Sequence, residues 1–182
     1  MITTHRLPPK ATTTTHASTV GAEPGLPDPY PAIVPVTIQV ERNLRQRPEL
    51  VFDAYADVDQ RVRWRASSDE PVVFQSHDFR VGGTDHFVRG LPGSPSCAGT
   101  TCYEHIATNE RIVFTERFVD SGDQLLAISV VTWTIAPSGT GALLIITDQT
   151  TSVVGSGPIE GSRYAYQVML DRLARHLADR VG

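Results

Sequence analysis

Cysteine is nearly missing from this sequence: Cys97 and Cys102 are the only two in 182 residues. No cationic start followed by an apolar run precedes them, so neither secretion nor a disulfide framework is supported, and a reduced, cytoplasmic setting is expected. Long hydrophobic runs are also missing. The strongly apolar stretches, such as Gly141 to Thr147, have strand length and fall well short of the roughly 20 residues of a membrane helix, so no membrane partner is expected. A concentrated basic face is absent too. Sixteen Lys and Arg are scattered among 20 Asp and Glu, for a net charge of −4, which excludes the electrostatic footprint of a nucleic-acid or anionic-lipid binder. The glycine-rich stretch from Val153 to Gly157 lacks the lysine of a phosphate loop, and no nucleophile elbow occurs. His77, His86 and His105 sit at no metal-ligand spacing, so neither a metal nor a cofactor is expected. Cys102 reads as a small buried hydrophobe on a strand.

What is present suffices for one domain with a sizeable core, at 40% hydrophobic residues. Residues 1–31, dominated by Thr, Pro, Ala and Gly, read as a disordered leader, and 32–182 as the folded domain. Val34, Val36, Ile38 and Val40 alternate with polar residues as in a half-buried strand. Pro48 and Glu49 open a short amphipathic helix through Leu50, Val51, Ala54, Tyr55 and Val58, extended by a second piece through Val62 and Trp64. Strands follow over Val72 to Arg80 and Thr84 to Arg89, joined by a Gly82-Gly83 hairpin turn, and then a flexible loop over Gly90 to Ala98. Four further strands, starting at Gly99, Arg111, Leu125 and Ala142, are joined by turn-forming clusters and make a meander. After a cap candidate at Ser156-Gly157-Pro158, Ala165, Met169, Leu173 and Leu177 form the apolar stripe of a long helix rich in Arg at its end. A sheet of this length curls, and a single helix cannot fill its concavity, so an internal cavity is expected.

The motifs have a family likeness. Glu49 to Ala54 after Pro48, then Trp64, Asp78-Phe79-Arg80-Val81-Gly82-Gly83, Tyr103, Arg111 to Glu116, Leu143 to Asp148, Glu160-Gly161, Leu170 and Leu173 occur in the order of the activator of Hsp90 ATPase-like branch of the SRPBCC superfamily. This chain resembles that branch from residue 38 to about 178. The superfamily also holds START lipid carriers, polyketide cyclases and the birch pollen allergen. The resemblance implies an α+β helix-grip fold: a curved antiparallel sheet of six to seven strands wrapped around a long C-terminal helix, with two short helices after the first strand. It implies an apolar cavity but not one activity, since the branch spans cochaperone domains, ligand carriers and a few enzymes. Where relatives usually carry an aromatic or other large residue, this chain has Asp85, which makes that wall more polar.

The chemistry-bearing candidates follow. Pairing Val81 with Thr84 sets Arg80 opposite Asp85 and Asp78 opposite Phe87 on one face, with His77, Phe79, His86 and Val88 on the other. The family pattern favours the first set as the inward one, where an Arg80–carboxylate pair would orient a ligand carbonyl or position a base. The competing reading is a set of surface ion pairs. Glu116 shares a face with Ile112, Phe114 and Phe118, where desolvation would raise its pKa. A strand-end carboxylate in water is the alternative. Asp78, Arg80, Asp85 and Glu116 are thus the acid–base candidates, and Trp64, Phe87, Tyr103, Phe114, Trp133, Tyr166 and Met169 the ligand-lining ones, each also readable as plain core. The expected partner is a small, largely apolar molecule, aromatic polyketide-like or lipid-like, with cofactor-free cyclase or lyase chemistry left open and a possible homodimer. The alternatives are a cochaperone-like interaction module and a protein that sequesters a toxic compound.

Overall fold

In a computed structural model, residues 32–66, 70–157 and 159–180 can be described; the leader expected over 1–31 and the expected first-turn Pro158 lie outside them. The alternating segment forms β1 (Val34–Leu44), with Ile38, Val40 and Leu44 buried. Pro48 sits in the first turn of α1 (Pro48–Ala56), where its missing N–H costs nothing. Asp57 ends that helix and caps α2 (Val58–Arg65), its carboxylate accepting from the Asp59 and Gln60 amides at 2.9 and 3.3 Å. Six strands follow: β2 (Val72–Ser76), β3 (Thr84–Leu91), β4 (Ser94–Ala107), β5 (Arg111–Val119), β6 (Leu125–Ser138) and β7 (Gly141–Ser152). The chain closes with α3 (Ser162–Ala178).

The seven strands form one antiparallel sheet in the order β1-β7-β6-β5-β4-β3-β2, so the N-terminal strand pairs with the last one. On the sheet, Ile38, Val40, Ile112, Leu144 and Ile146 pack with Val51, Tyr55 and Trp64 of the short helices and with Leu170, Leu173 and Leu177 of α3. Each such side chain contributes about 1.5–3 kcal/mol by leaving water. This is the expected helix-grip α+β fold.

Three local expectations need correction. Gly90 to Ala98 is not a loop: β3 and β4 continue into a hairpin closed at Pro92-Gly93, where Gly93 takes φ 82° and Pro presets the preceding residue, with a register shift at Arg89/Gly90. The β2–β3 pair is not closed at Gly82-Gly83. Val72 pairs with Arg89 and Phe74 with Phe87, strand pairing ends near Ser76, and residues 77–83 form an irregular excursion. That excursion is held by Gly82 N–H donating to the Tyr103 carbonyl at 2.8 Å. Gly83 passes so close to the Asp78 carbonyl that a Cβ would stand 2.1 Å from it. Finally, α3 starts at Ser162 behind Gly161 at φ 79°, later than the Ser156 cap candidate, whose hydroxyl instead donates to Glu160 at 2.6 Å. No helix among the described residues is long and apolar enough to cross a membrane.

Candidate functional site

The register lines up one polar residue per strand across the concave face. Asp85 of β3 is level with Thr101 of β4, Thr101 with Glu116 of β5, Glu116 with Ser129 of β6, and Ser129 with Thr150 of β7. The first four are buried. Polar groups withdrawn from water in such numbers must find partners. Helix α2 supplies them: Arg61 and Arg65, four residues apart, lie on the same helix face and reach two different carboxylates of this row.

At the β3 end, Asp85 is fully buried and accepts from Arg61 Nη2 and from the Tyr103 hydroxyl at 2.5 Å each, and from the Asp78 N–H at 3.1 Å. His77 Nδ1 lies 2.8 Å from its other oxygen, and His77 Nε2 lies 3.2 Å from the Ala56 carbonyl at the end of α1. Burial alone would raise the Asp85 carboxyl, but Arg61, Tyr103, the Asp78 amide and His77 outweigh it and hold it below the ordinary range. In the middle, Glu116 Oε1 accepts from Arg65 Nη2 at 2.8 Å and from Thr101 Oγ1 at 3.1 Å. Desolvation would raise Glu116, as its apolar neighbours suggest, yet the adjacent Arg65 guanidinium prevails and lowers it. The expected upward shift is therefore reversed, because the sequence pattern of β5 does not show the arginine that α2 delivers. At the β7 end, Asp148 accepts from the hydroxyls of Tyr166 at 2.8 Å and Thr150 at 2.6 Å. Burial dominates there and raises its pKa, the two hydroxyls being weaker partners than a guanidinium.

Between these clusters and α3 lies a gap lined by Tyr55, Trp64, Arg65, Phe114, Glu116 and, from the far side, Val131, Trp133, Tyr166 and Met169. Its volume is about 20 Å³, room for about one water molecule. The concavity is largely filled because α1 and α2 insert aromatic rings that a one-helix picture leaves out. Tyr55 packs against Trp133 with ring centroids 4.7 Å apart, and Trp64 against Trp133 at 5.7 Å. The Tyr55 hydroxyl is buried without a hydrogen-bond partner, and burial, against the pull of Arg61, pushes its pKa up to about 12. A larger cleft of about 130 Å³ lies outside the grip, lined by Leu50, Asp53, Gln60, Leu177 and Arg180.

A protein-family model described as Activator of Hsp90 ATPase homolog 1-like protein matches residues 45–178. The chain belongs to this family. Among solved structures, this chain is similar to the Mll3558 protein of Rhizobium loti, at 32% identity and TM-score 0.67 over 80% of this chain and 99% of that one. It is also similar to protein CV1439 of Chromobacterium violaceum, at 30% identity and TM-score 0.68 over 78% and 96%. A more distant neighbour in fold is DynU16, a protein in the dynemicin biosynthetic locus, at 16% identity and TM-score 0.57; this chain spans 47% of its length. No functionally curated protein matches the chain. Membership places the chain on the helix-grip scaffold, the fold of a superfamily that holds hydrophobic ligands.

Of the residues singled out from sequence, Trp64, Phe114, Glu116, Trp133, Tyr166 and Met169 meet at this gap. Asp85, Tyr103 and Phe87 are buried but apart from it. Tyr103 joins the Asp85 cluster, and Phe87 lies beyond the polar row against Gly99, Phe74 and Phe118. Asp78 and Arg80 are not brought to the site. Their side chains are 45% and 70% exposed and pair with each other at 2.9 Å, while Phe79 between them turns inward onto Tyr103. The pairing of Arg80 with Asp85 fails because the irregular 77–83 excursion breaks strand alternation. Sequence reasoning missed Arg61, Arg65, His77 and Asp148. The i, i+4 spacing of the two arginines beside Trp64 was the available signal, but charged residues on a short helix read as a solvated face.

Proposed function

We propose that this protein binds a small, largely apolar organic molecule, aromatic polyketide-like or lipid-like, between the sheet and the N-terminal half of α3. The observation that carries the reading is the gap itself, where aromatic rings converge with one carboxylate and one guanidinium. Sites for small organic ligands combine these elements: apolar walls with a few placed polar groups. The uneven seating of α3 supports it. Leu170, Leu173 and Leu177 anchor the C-terminal half, whereas no residue from Ser162 to Met169 is buried. Met169 and Tyr166, the two residues of α3 that border the gap, are only half-buried, and Met is a flexible filler. Gly155 and Gly161, both at positive φ, bracket the approach to the helix. A ligand enlarges the gap by displacing this half of α3 while the leucine anchors hold.

Binding is favoured over acid–base turnover. Asp78 and Arg80 pair with each other at the surface, and Asp85 is engaged by several donors, so Glu116 is the one acid–base candidate bordering the gap. Among the described residues, a cochaperone-like docking role has no comparable site to support it. Thermal-shift screening and native mass spectrometry against aromatic polyketides and fatty acids test the proposal, with Met169→Trp as a variant that fills the gap. Stabilisation by at least one class, lost in Met169→Trp, is expected. Binding that persists in Met169→Trp would place the ligand elsewhere, and no binding in either chain would reject the reading.

A further inference from the structure

The gap is bordered by one buried hydroxyl that the fold leaves without a partner. Tyr55 is 1% exposed, its ring is fixed edge-on against Trp133 and over Arg61, and its hydroxyl makes no hydrogen bond of ordinary geometry, although it is near enough to the Tyr103 hydroxyl to be perturbed by it. A buried, unpaired hydroxyl costs about 1–3 kcal/mol, and Phe would fill the same volume without that cost. Tyr55 shares the lining of the gap with Glu116 and Arg65. A carboxylate has about four acceptor positions, of which Arg65 and Thr101 occupy two on Glu116, both at Oε1. The indole N–H of Trp64, by contrast, is taken by the Ala54 carbonyl at 2.9 Å, so that ring offers only apolar surface. The Tyr166 hydroxyl is likewise committed to Asp148. The free polar capacity of the gap is therefore a hydroxyl that donates or accepts, a carboxylate that only accepts and the further N–H donors of Arg65, whose formal charge cancels that of Glu116.

On the reading that the gap is the ligand site, we propose that Tyr55 and Glu116 form a subsite for one neutral hydroxyl group, phenolic or alcoholic, on the ligand's apolar body. Such a group donates to Glu116 and accepts from Tyr55 at once. A carboxylate cannot do the first and would face Glu116 at like charge, and a pure hydrocarbon leaves both protein groups unpaired. The ligand class is thus a hydroxylated aromatic or lipid, not an acid.

Affinities for three probes that share one ring system, 1-naphthol, naphthalene and 1-naphthoate, measured by fluorescence or calorimetry on the parent chain, Tyr55→Phe and Tyr164→Phe, test this. One hydrogen bond corresponds to about a fivefold change in affinity. The naphthol-to-naphthalene affinity ratio is expected to fall about fivefold in Tyr55→Phe and to stay unchanged in Tyr164→Phe, a tyrosine that is 71% exposed and does not line the gap, with the melting temperature of Tyr55→Phe equal to or above that of the parent. A ratio unmoved by Tyr55→Phe overturns the subsite and leaves the binding proposal standing. So does tightest binding of 1-naphthoate, or a Tyr55→Phe chain that melts earlier and loses both neutral probes together. Failure of all three probes to bind the parent overturns both.

Discussion

Arg61 and Arg65 leave the same face of α2 one turn apart and end on carboxylates of different strands, Arg61 on Asp85 of β3 and Arg65 on Glu116 of β5. A short helix with little apolar content is thereby bound to the sheet by two low-lying ion pairs, and the helix brings Trp64 into the core between them. Asp85 of β3 and Glu116 of β5 are two strands apart with Thr101 of β4 between them, roughly 9.6 Å of sheet against about 6 Å of rise between the two arginines, a difference their long side chains make up.

Breaking one side of the inner pair leaves a charge stranded without water. Arg61→Met is expected to cost about 3–5 kcal/mol in denaturant unfolding, and the double variant Arg61→Met/Asp85→Leu substantially less, because the cost lies in the orphaned carboxylate. Equal losses in the two variants would contradict this account.

Arg80 gives the complementary test. Its partner Asp78 is exposed with it, so Arg80→Ala should change stability by no more than about 0.5 kcal/mol and leave ligand binding unaltered. A large loss would restore the pairing with Asp85 that the β2–β3 register rules out.

The carboxyls respond to pH in opposite senses. Asp85 and Glu116 titrate below their ordinary values of 3.8 and 4.5, so their stabilisation is complete above those values and is lost as pH falls through the lower, folded-state ones. Asp148 titrates above its ordinary 3.8; its contribution is complete below that value and lost as pH rises through the folded-state one. Asp148→Asn, with no proton to lose, should therefore gain stability relative to the parent between pH 4 and pH 8. Parallel stability curves for the two chains would show that Asp148 is not raised.

Gly99 lies directly under the Phe87 ring; a Cβ there would stand 2.2 Å from Cζ. Gly99→Ala should cost about 1–3 kcal/mol by forcing that ring aside, and Phe87→Leu in the same chain should recover part of the loss. Additive losses in the double variant would show that the two residues do not compete for space.

Local pattern alone was enough for the element order. Period-two alternation in β1 and β5, the proline at the start of α1, and the leucine spacing of α3 are properties of neighbouring residues, so they can be read without the fold. The same holds for Phe114 and Trp133 at the gap, because inward positions on a strand follow from parity. Tertiary structure decided the rest. The partners of Asp85 and Glu116 are 24 and 51 residues away on another element, and no local pattern encodes which carboxylate a helix will reach. The size of the cavity was equally out of reach. It depends on how far Tyr55 and Trp64 descend into the curve of the sheet, a matter of three-dimensional packing that the residue types leave undetermined.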